Sequence, residues 1–263
     1  MKFKIFTVDA FTDRPFAGNP AAVCLLTEEM PVEWMTDVAA EMNLSETAFL
    51  LKEDDEYSLR WFTPKVEVQL CGHATLASAH ILWQKNILSK NEDARFHTLS
   101  GLLTVKYVDG EYEMNFPAYE VKPSERNEML IKALGIEPVS VSETEHQYIC
   151  EFQSEEDILK IAPSFETLMG LEKFGTIITA RSSDKRYDFI SRFFAPSKGI
   201  NEDPVTGSAH CALAPYWKEK TGENIFSAYQ ASERGGVLKL RLEGDRVFLK
   251  GSAVTITEGE LLV

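Results

Sequence analysis

The chain has 263 residues, 44% hydrophobic and 26% charged, which is ordinary globular usage and excludes a disordered, collagen-like or coiled-coil protein. At roughly 150 residues per domain the length suggests two modest domains, with roughly 70–75% of the unfolded surface buried. Lys plus Arg is 27 and Asp plus Glu is 41, a formal charge of −14, which leaves no electropositive footprint for nucleic acid and disfavours an anionic membrane surface.

In chain order, a helix is predicted over 31–42, where Trp34, Val38 and Met42 recur every fourth residue and Asn43 follows as a C′ residue. Strands follow at 45–51 and 58–63, then a second helix over 72–85. A hairpin over 102–116 turns at Asp109-Gly110, a type I′ signal. The polar stretch Glu120–Glu128, with Pro123, reads as a linker. Beyond it come a helix from 163, strands near 176–181 and 188–195, a helix from 207, and a hairpin turning at 244–245.

This order repeats because the chain repeats. Arg60-Trp61-Phe62-Thr63-Pro64 resembles Arg192-Phe193-Phe194-Ala195-Pro196 at an offset of 132, and Pro31 meets Pro163 at the same offset. Further on the offset is 135: Cys71-Gly72-His73-Ala74 meets Thr206-Gly207-Ser208-Ala209, and Gly101-Leu102-Leu103 meets Gly236-Val237-Leu238. No single match carries the argument; their order and near-constant offset do. The expected architecture is α+β, with two pseudo-symmetric domains at 1–117 and 118–252. Each is a mostly antiparallel sheet wrapped round a small-residue central helix, with the active site in the cleft between them.

The differences between the halves point to function. Glu46 lies on an otherwise apolar strand face with Leu44, Ala48 and Leu50, and at offset 132 its partner is Ile178. A carboxylate there loses solvation, which suits a general acid/base; a strand-edge glutamate or a structural ion pair is the other reading. The change in offset places three extra residues in Ser197–Val205, the loop that carries Asp203 into a helix start. Asp203 is either a turn residue before Pro204 or a carboxylate beside whatever that helix end binds. Gly72-His73 and Gly207-Ser208 open two helices whose N–H groups can hold an anion, or they are glycines for close packing with Ser208 as a cap. The helix end also favours neutral His73, able to relay a proton. Phe16–Pro20, with Asn19, is a turn with reach into the cleft.

Other chemistries find little support. His73 and His80 are seven apart without a third ligand at metal spacing. Ser208 and His210 point apart on one helix. There is no G-x-S-x-G and no G-x-G-x-x-G. Cys24, Cys71, Cys150 and Cys211 are far apart, as reduced thiols in a cytoplasmic protein would be. Cys71 at a helix start is a candidate nucleophile or base. No apolar run approaches a membrane span, and Lys4 and Asp9 interrupt the N-terminus as a signal peptide.

Val8-Asp9-Ala10-Phe11-Thr12 with Gly18-Asn19-Pro20, Ser45-Glu46-Thr47-Ala48-Phe49, Phe62-Thr63-Pro64 with Cys71-Gly72-His73-Ala74-Thr75, and Glu202–His210 together resemble the PhzF family of phenazine-biosynthesis proteins. The resemblance implies the diaminopimelate epimerase fold, a homodimer, a final strand (253–263) returning to the first domain, and a cofactor-free, metal-free isomerase acting on a small carboxylic acid. The family's named reaction isomerises trans-2,3-dihydro-3-hydroxyanthranilate by moving a proton. Carried over by position, Glu46 matches the proton-transfer acid/base, and His73, Asp203 and Ser208 match the other polar site positions. Gly72, Gly207 and Asn19 are then the expected substrate-binding residues. Epimerases of this fold use two cysteines at the two helix starts; here those positions are Cys71 and Thr206, so the two-thiol mechanism is broken.

Overall fold

Helix α2 (Gly72–Gln84) sets the plan of the first half, because every residue from His73 to Trp83 is buried. Its sequence is apolar all round rather than striped, which is the pattern of a helix enclosed on every side, and Ala74, Ala77 and Ala79 let strands approach closely. The structure, a computed structural model, describes residues 2–263. The chain divides into one unit running to Asn115 together with Lys250–Val263, and a second over Phe116–Leu249. The divisions fall at Asn115/Phe116 and Leu249/Lys250 rather than after Pro117 and Ser252.

In the first unit β1 (Phe3–Ala10) pairs antiparallel with β2 (Asn19–Leu26), and β2 pairs parallel with β3 (Glu46–Glu53) across the crossover helix α1 (Val32–Met42). Asn43 ends α1 in the left-handed region (φ 50°) and returns its N–H to Ala39 at 3.0 Å. Met35, Val38 and Ala39 face inward, and Trp34, Phe3, Phe49 and Phe62 meet edge to face with centroids 5.2–6.0 Å apart. Such aromatic contacts contribute about 0.5–1.5 kcal/mol each beyond area burial.

β3 turns back as β4 (Glu56–Phe62), followed by the short β5 (Glu67–Val68) and α2. Beyond α2, β6 (Ala94–Thr98) lies parallel to β4, and β7 (Gly101–Val108) and β8 (Glu111–Pro117) continue antiparallel. The β7–β8 turn has Asp109 at φ 53° and Gly110 at φ 86°, the positive pair a type I′ turn requires. The other edge of β1 is filled from the far end of the sequence by β17 (Ala253–Leu261), antiparallel in eight register pairs.

The second unit repeats this pairing scheme. Its outer strand is β9 (Lys122–Pro123), antiparallel to β10 (Ser140–Glu143), with helix α3 (Glu128–Leu134) between them in sequence. β10 pairs antiparallel with β11 (Gln147–Glu151), and β11 pairs parallel with β12 (Gly175–Arg181). β12 turns back as β13 (Phe189–Phe194), which is parallel to β14 (Ile225–Gln230). Helix α6 (Gly207–Thr221) takes the place of α2, and β15 (Gly236–Glu243) and β16 (Arg246–Gly251) follow.

The helix expected from 163 is α5 (Phe165–Met169), which starts just after Pro163, and a further short helix, α4 (Glu155–Lys160), precedes it. Ser154 caps α4 in a reciprocal box with Asp157, and the Ser164 hydroxyl accepts from Thr167 N–H. Each serine starts its own helix, and a proline without an N–H suits the break between them.

Candidate active site

At the start of α2 the N-cap side chain makes no capping hydrogen bond: Cys71 is extended (φ −144°, ψ 110°) and Gly72 follows, the kind of helix start whose N–H groups can hold an anion. Thr75 anchors the turn by donating Oγ1–H to the Cys71 carbonyl at 2.6 Å. The imidazole of His73, the second helical residue, stands between two chemical groups. Its Nδ1 is 3.5 Å from Cys71 Sγ, and its Nε2 is 3.4 Å from Glu46 Oε2. The second approach is within reach but is not aligned as a hydrogen bond. Burial pushes His73 down to about 3, so the ring is neutral and its approach to Glu46 is not a salt bridge.

Glu46 opens β3 beside Ala21 of β2. Asn19 lies two residues before Ala21, on the same strand face, and is fully buried. The glycine before it is held at φ +65°, where a Cβ would come within 2.1 Å of the Ala10 carbonyl. The side chain of Glu46 is 12% exposed and that of His73 6%, so both are largely withdrawn from solvent. A neutral imidazole can donate from one nitrogen and accept at the other. Cys71 and Glu46 thus flank the His73 ring, one at each nitrogen. The donor atoms of the three also lie within 4.8 Å of one another, close enough for a metal ion. However, the ring turns Nδ1 to the sulfur and Nε2 to the carboxylate, so no single imidazole nitrogen faces both, and the set does not suit a ligand cage.

The second unit builds a comparable helix start. Thr206 is extended (φ −118°, ψ 106°) before Gly207 and Ser208, and His210 plays the part of Thr75, with Nδ1 2.8 Å from the Thr206 carbonyl. Asp203, 9% exposed, accepts from Thr206 Oγ1–H at 2.5 Å. Gln230, which sequence reasoning missed, locks this loop: its Nε2 donates to the Asp203 carbonyl at 2.7 Å and its Oε1 accepts from Thr206 N–H at 2.8 Å. Asp203 thus braces the helix entrance.

The register corrects the expected partner of Glu46. Arg60 and Arg192 are equivalent; Arg60 faces Phe49, and Arg192 faces Ile178. Ile178 therefore matches Phe49, and Glu46 matches Gly175 at an offset of 129. Four residues separate the paired Lys52 and Tyr57, whereas seven separate the equivalent Arg181 and Phe189, which moves the offset from 129 to 132 across the hairpin. Beside Gly175 stands Gln147, fully buried, whose Nε2 is 3.2 Å from Ser208 Oγ. Its signal in the sequence was a lone amide opening the apolar strand Gln147-Tyr148-Ile149-Cys150.

The first unit thus brings together Glu46, Gly72 and His73 with Cys71, with Asn19 on the neighbouring strand; the second brings together Asp203, Gly207 and Ser208. His80 belongs to neither group. It bonds Tyr112 Oη at 2.7 Å and Thr255 Oγ1 at 2.9 Å and ties β17 to α2.

These motifs are shared with known proteins. The family described as phenazine biosynthesis-like protein matches residues 8–259. The chain belongs to this PhzF family. It is 52% identical to an uncharacterized isomerase of Halalkalibacterium halodurans, with all of both chains covered, and 46% identical to an uncharacterized isomerase of Pseudomonas aeruginosa over 99% of each. Among solved structures, a PhzF family phenazine biosynthesis protein of Enterococcus faecalis superposes with a TM-score of 0.96 at 39% identity, covering all of both chains. The duplicated two-unit α+β architecture is that of this PhzF family. No helix among the described residues is long and apolar enough to cross a membrane.

Proposed function

We propose that this PhzF-family protein is a cofactor-independent isomerase that moves a proton on a small unsaturated or hydroxylated carboxylic acid, a reaction similar to that of trans-2,3-dihydro-3-hydroxyanthranilate isomerase. The observation that carries the reading is Glu46 Oε2 placed 3.4 Å from the neutral ring of His73 at the start of α2. In this reading Glu46 takes the proton from one carbon and returns it to another. His73, unable to hold a charge at neutral pH, orients the carboxyl group and passes hydrogen-bonding polarity toward Cys71. The first-turn N–H groups at Gly72–His73 and at Gly207–Ser208 supply local attraction for a carboxylate, which a chain of net charge −14 repels at long range. Relatives named as isomerases support the class of reaction. The test is proton exchange in D₂O, read by mass spectrometry on a metabolite pool. A species should gain deuterium with wild type and lose that gain with Glu46→Gln. Undiminished exchange in the variant sinks the assignment.

A second reading is favoured by one contact, Cys71 Sγ at 3.5 Å from His73 Nδ1. A cysteine-dependent amino-acid racemase or epimerase would use that thiol as its base. It predicts that loss of Cys71 abolishes exchange while Glu46→Gln does not.

A further inference from the structure

The second unit reverses the sizes of two neighbouring residues. In the first unit small Ala21 sits beside large Glu46, and the acid reaches His73; in the second, large Gln147 sits beside Gly175, and the amide reaches Ser208. A Cβ at Gly175 would come within 2.8 Å of the Phe193 ring and 3.0 Å of Gln147 Cγ. The place of an acid side chain is therefore filled, from the adjacent strand, by a group that neither gives nor takes a proton near neutral pH. Ser208 and His73 are each the second residue of an equivalent central helix, at an offset of 135.

The direction of the hydrogen bond decides what Ser208 can do. Its oxygen accepts from the Gln147 amide, so its own O–H remains to be donated. Ser208 is partly exposed at the start of a helix of 15 residues. Gln147 is 1% exposed, and its Oε1 has no hydrogen-bond partner. The amide nitrogen is thus committed to Ser208 alone, which fixes the direction of that hydrogen bond. We propose that Gln147 is a positioning residue: it holds Ser208 as a hydrogen-bond donor, so that the start of α6 receives a carboxylate and takes no part in moving protons. The assignment rests on the proton-transfer reading above and deepens it, because it makes the two helix starts unequal.

The test titrates the full chain with sodium benzoate, and with benzamide as a neutral analogue of the same shape, following backbone amides by ¹H–¹⁵N NMR. Benzoate should shift Gly207 and Ser208 in the wild type. Gln147→Glu offers Ser208 an acceptor and turns its proton inward, so benzoate affinity should fall by about tenfold or more while benzamide changes less than about threefold. Gln147→Met, which keeps the bulk, should weaken benzoate by about three- to tenfold and serves where Gln147→Glu fails to fold. Wild-type benzoate affinity in both variants, equal losses for benzoate and benzamide, or a wild type in which Gly207 and Ser208 do not respond would each overturn the proposal. Glu46→Gln separates this from the underlying reading. It should keep the benzoate response and lose exchange; if exchange survives, the proton-transfer assignment fails while the response at α6 still reports on Gln147.

Discussion

Glu46 and Gly175 hold the same register position in two copies of one hairpin, and only the first copy has a side chain to present. In the second the space belongs to Phe193 and Gln147. Gly175→Ala should therefore cost about 1–3 kcal/mol through overpacking. In a Gln147→Ala background the same substitution should cost at least about 0.5 kcal/mol less, because one of the two obstructing groups is gone. Urea denaturation of the four proteins in the cycle gives the coupling, and strict additivity would refute the exchange of places.

Glu46→Gln separates activity from stability. General acid/base catalysis is worth about 10²–10⁴-fold, and exchange should fall by that factor. The His73 ring beside the carboxyl group is neutral, so the substitution breaks no salt bridge to that ring, and the thermal midpoint should change little. A large drop in midpoint together with the lost exchange would mark Glu46 as a structural residue.

Three buried histidines give the protein an acid sensitivity of definite sign. Burial lowers His73 to about 3 and His80 and His210 to about 4, from an ordinary 6.5. Below pH 6.5 the unfolded chain takes up protons at these positions and the folded chain does not. Their contribution is thus complete above pH 6.5 and is lost as the pH falls toward the folded values. Each can contribute a slope of up to about 1.4 kcal/mol per pH unit, or about 4 kcal/mol per unit for the three between roughly pH 6 and 4. Urea midpoints at pH 7.5, 6 and 5 should fall in step, and the His73 ring resonances should not titrate above pH 5. A ring that titrates near 6.5 would contradict the neutral state of His73.

The thiols divide into two classes. Cys24, Cys150 and Cys211 are buried, and burial pushes each up to about 12, so thiolate is scarce at any working pH. Cys71, at the start of α2, is also buried but, at 7%, is the most exposed of the four. Iodoacetamide on the folded protein should add a single group per chain, at Cys71, as read by peptide mass spectrometry. Cys71→Ala should retain exchange within about tenfold if Glu46 carries the chemistry, since the thiol then adds at most one tuning contact. Abolished exchange would instead support the cysteine-based alternative.

Much of this was legible in the sequence because it depends on local chemistry or on repetition. The Asp109-Gly110 turn, the Asn43 terminus of α1 and the two small-residue helices follow from conformational preferences that act within a few residues. Of the candidate site residues, Glu46 and Asp203 stand out because one half departs from the other, and His73 and Ser208 because two helix starts match. What could not be read depends on register across strands. A constant offset paired Glu46 with Ile178, since residue counting does not reveal that one hairpin loop is three residues longer than its twin. Gln147 and Gln230 act through side chains reaching from neighbouring strands, and their sequence neighbours say nothing of Ser208 or Thr206.

The pairing of β17 with β1 has a consequence for the order of events during synthesis. Ala10 meets Ala253, so β1 leaves the ribosome some 243 residues ahead of the strand that completes its second edge. At about 5–20 residues per second that is a wait of roughly 10–50 s. Throughout it one side of β1 is a row of unpaired amides and carbonyls, open to association with other chains. The second half, by contrast, receives its outer strand β9 before β10 is made, and can close without delay. Two nearly identical architectures in one polypeptide are thus assembled on different schedules, with the half made first finished last.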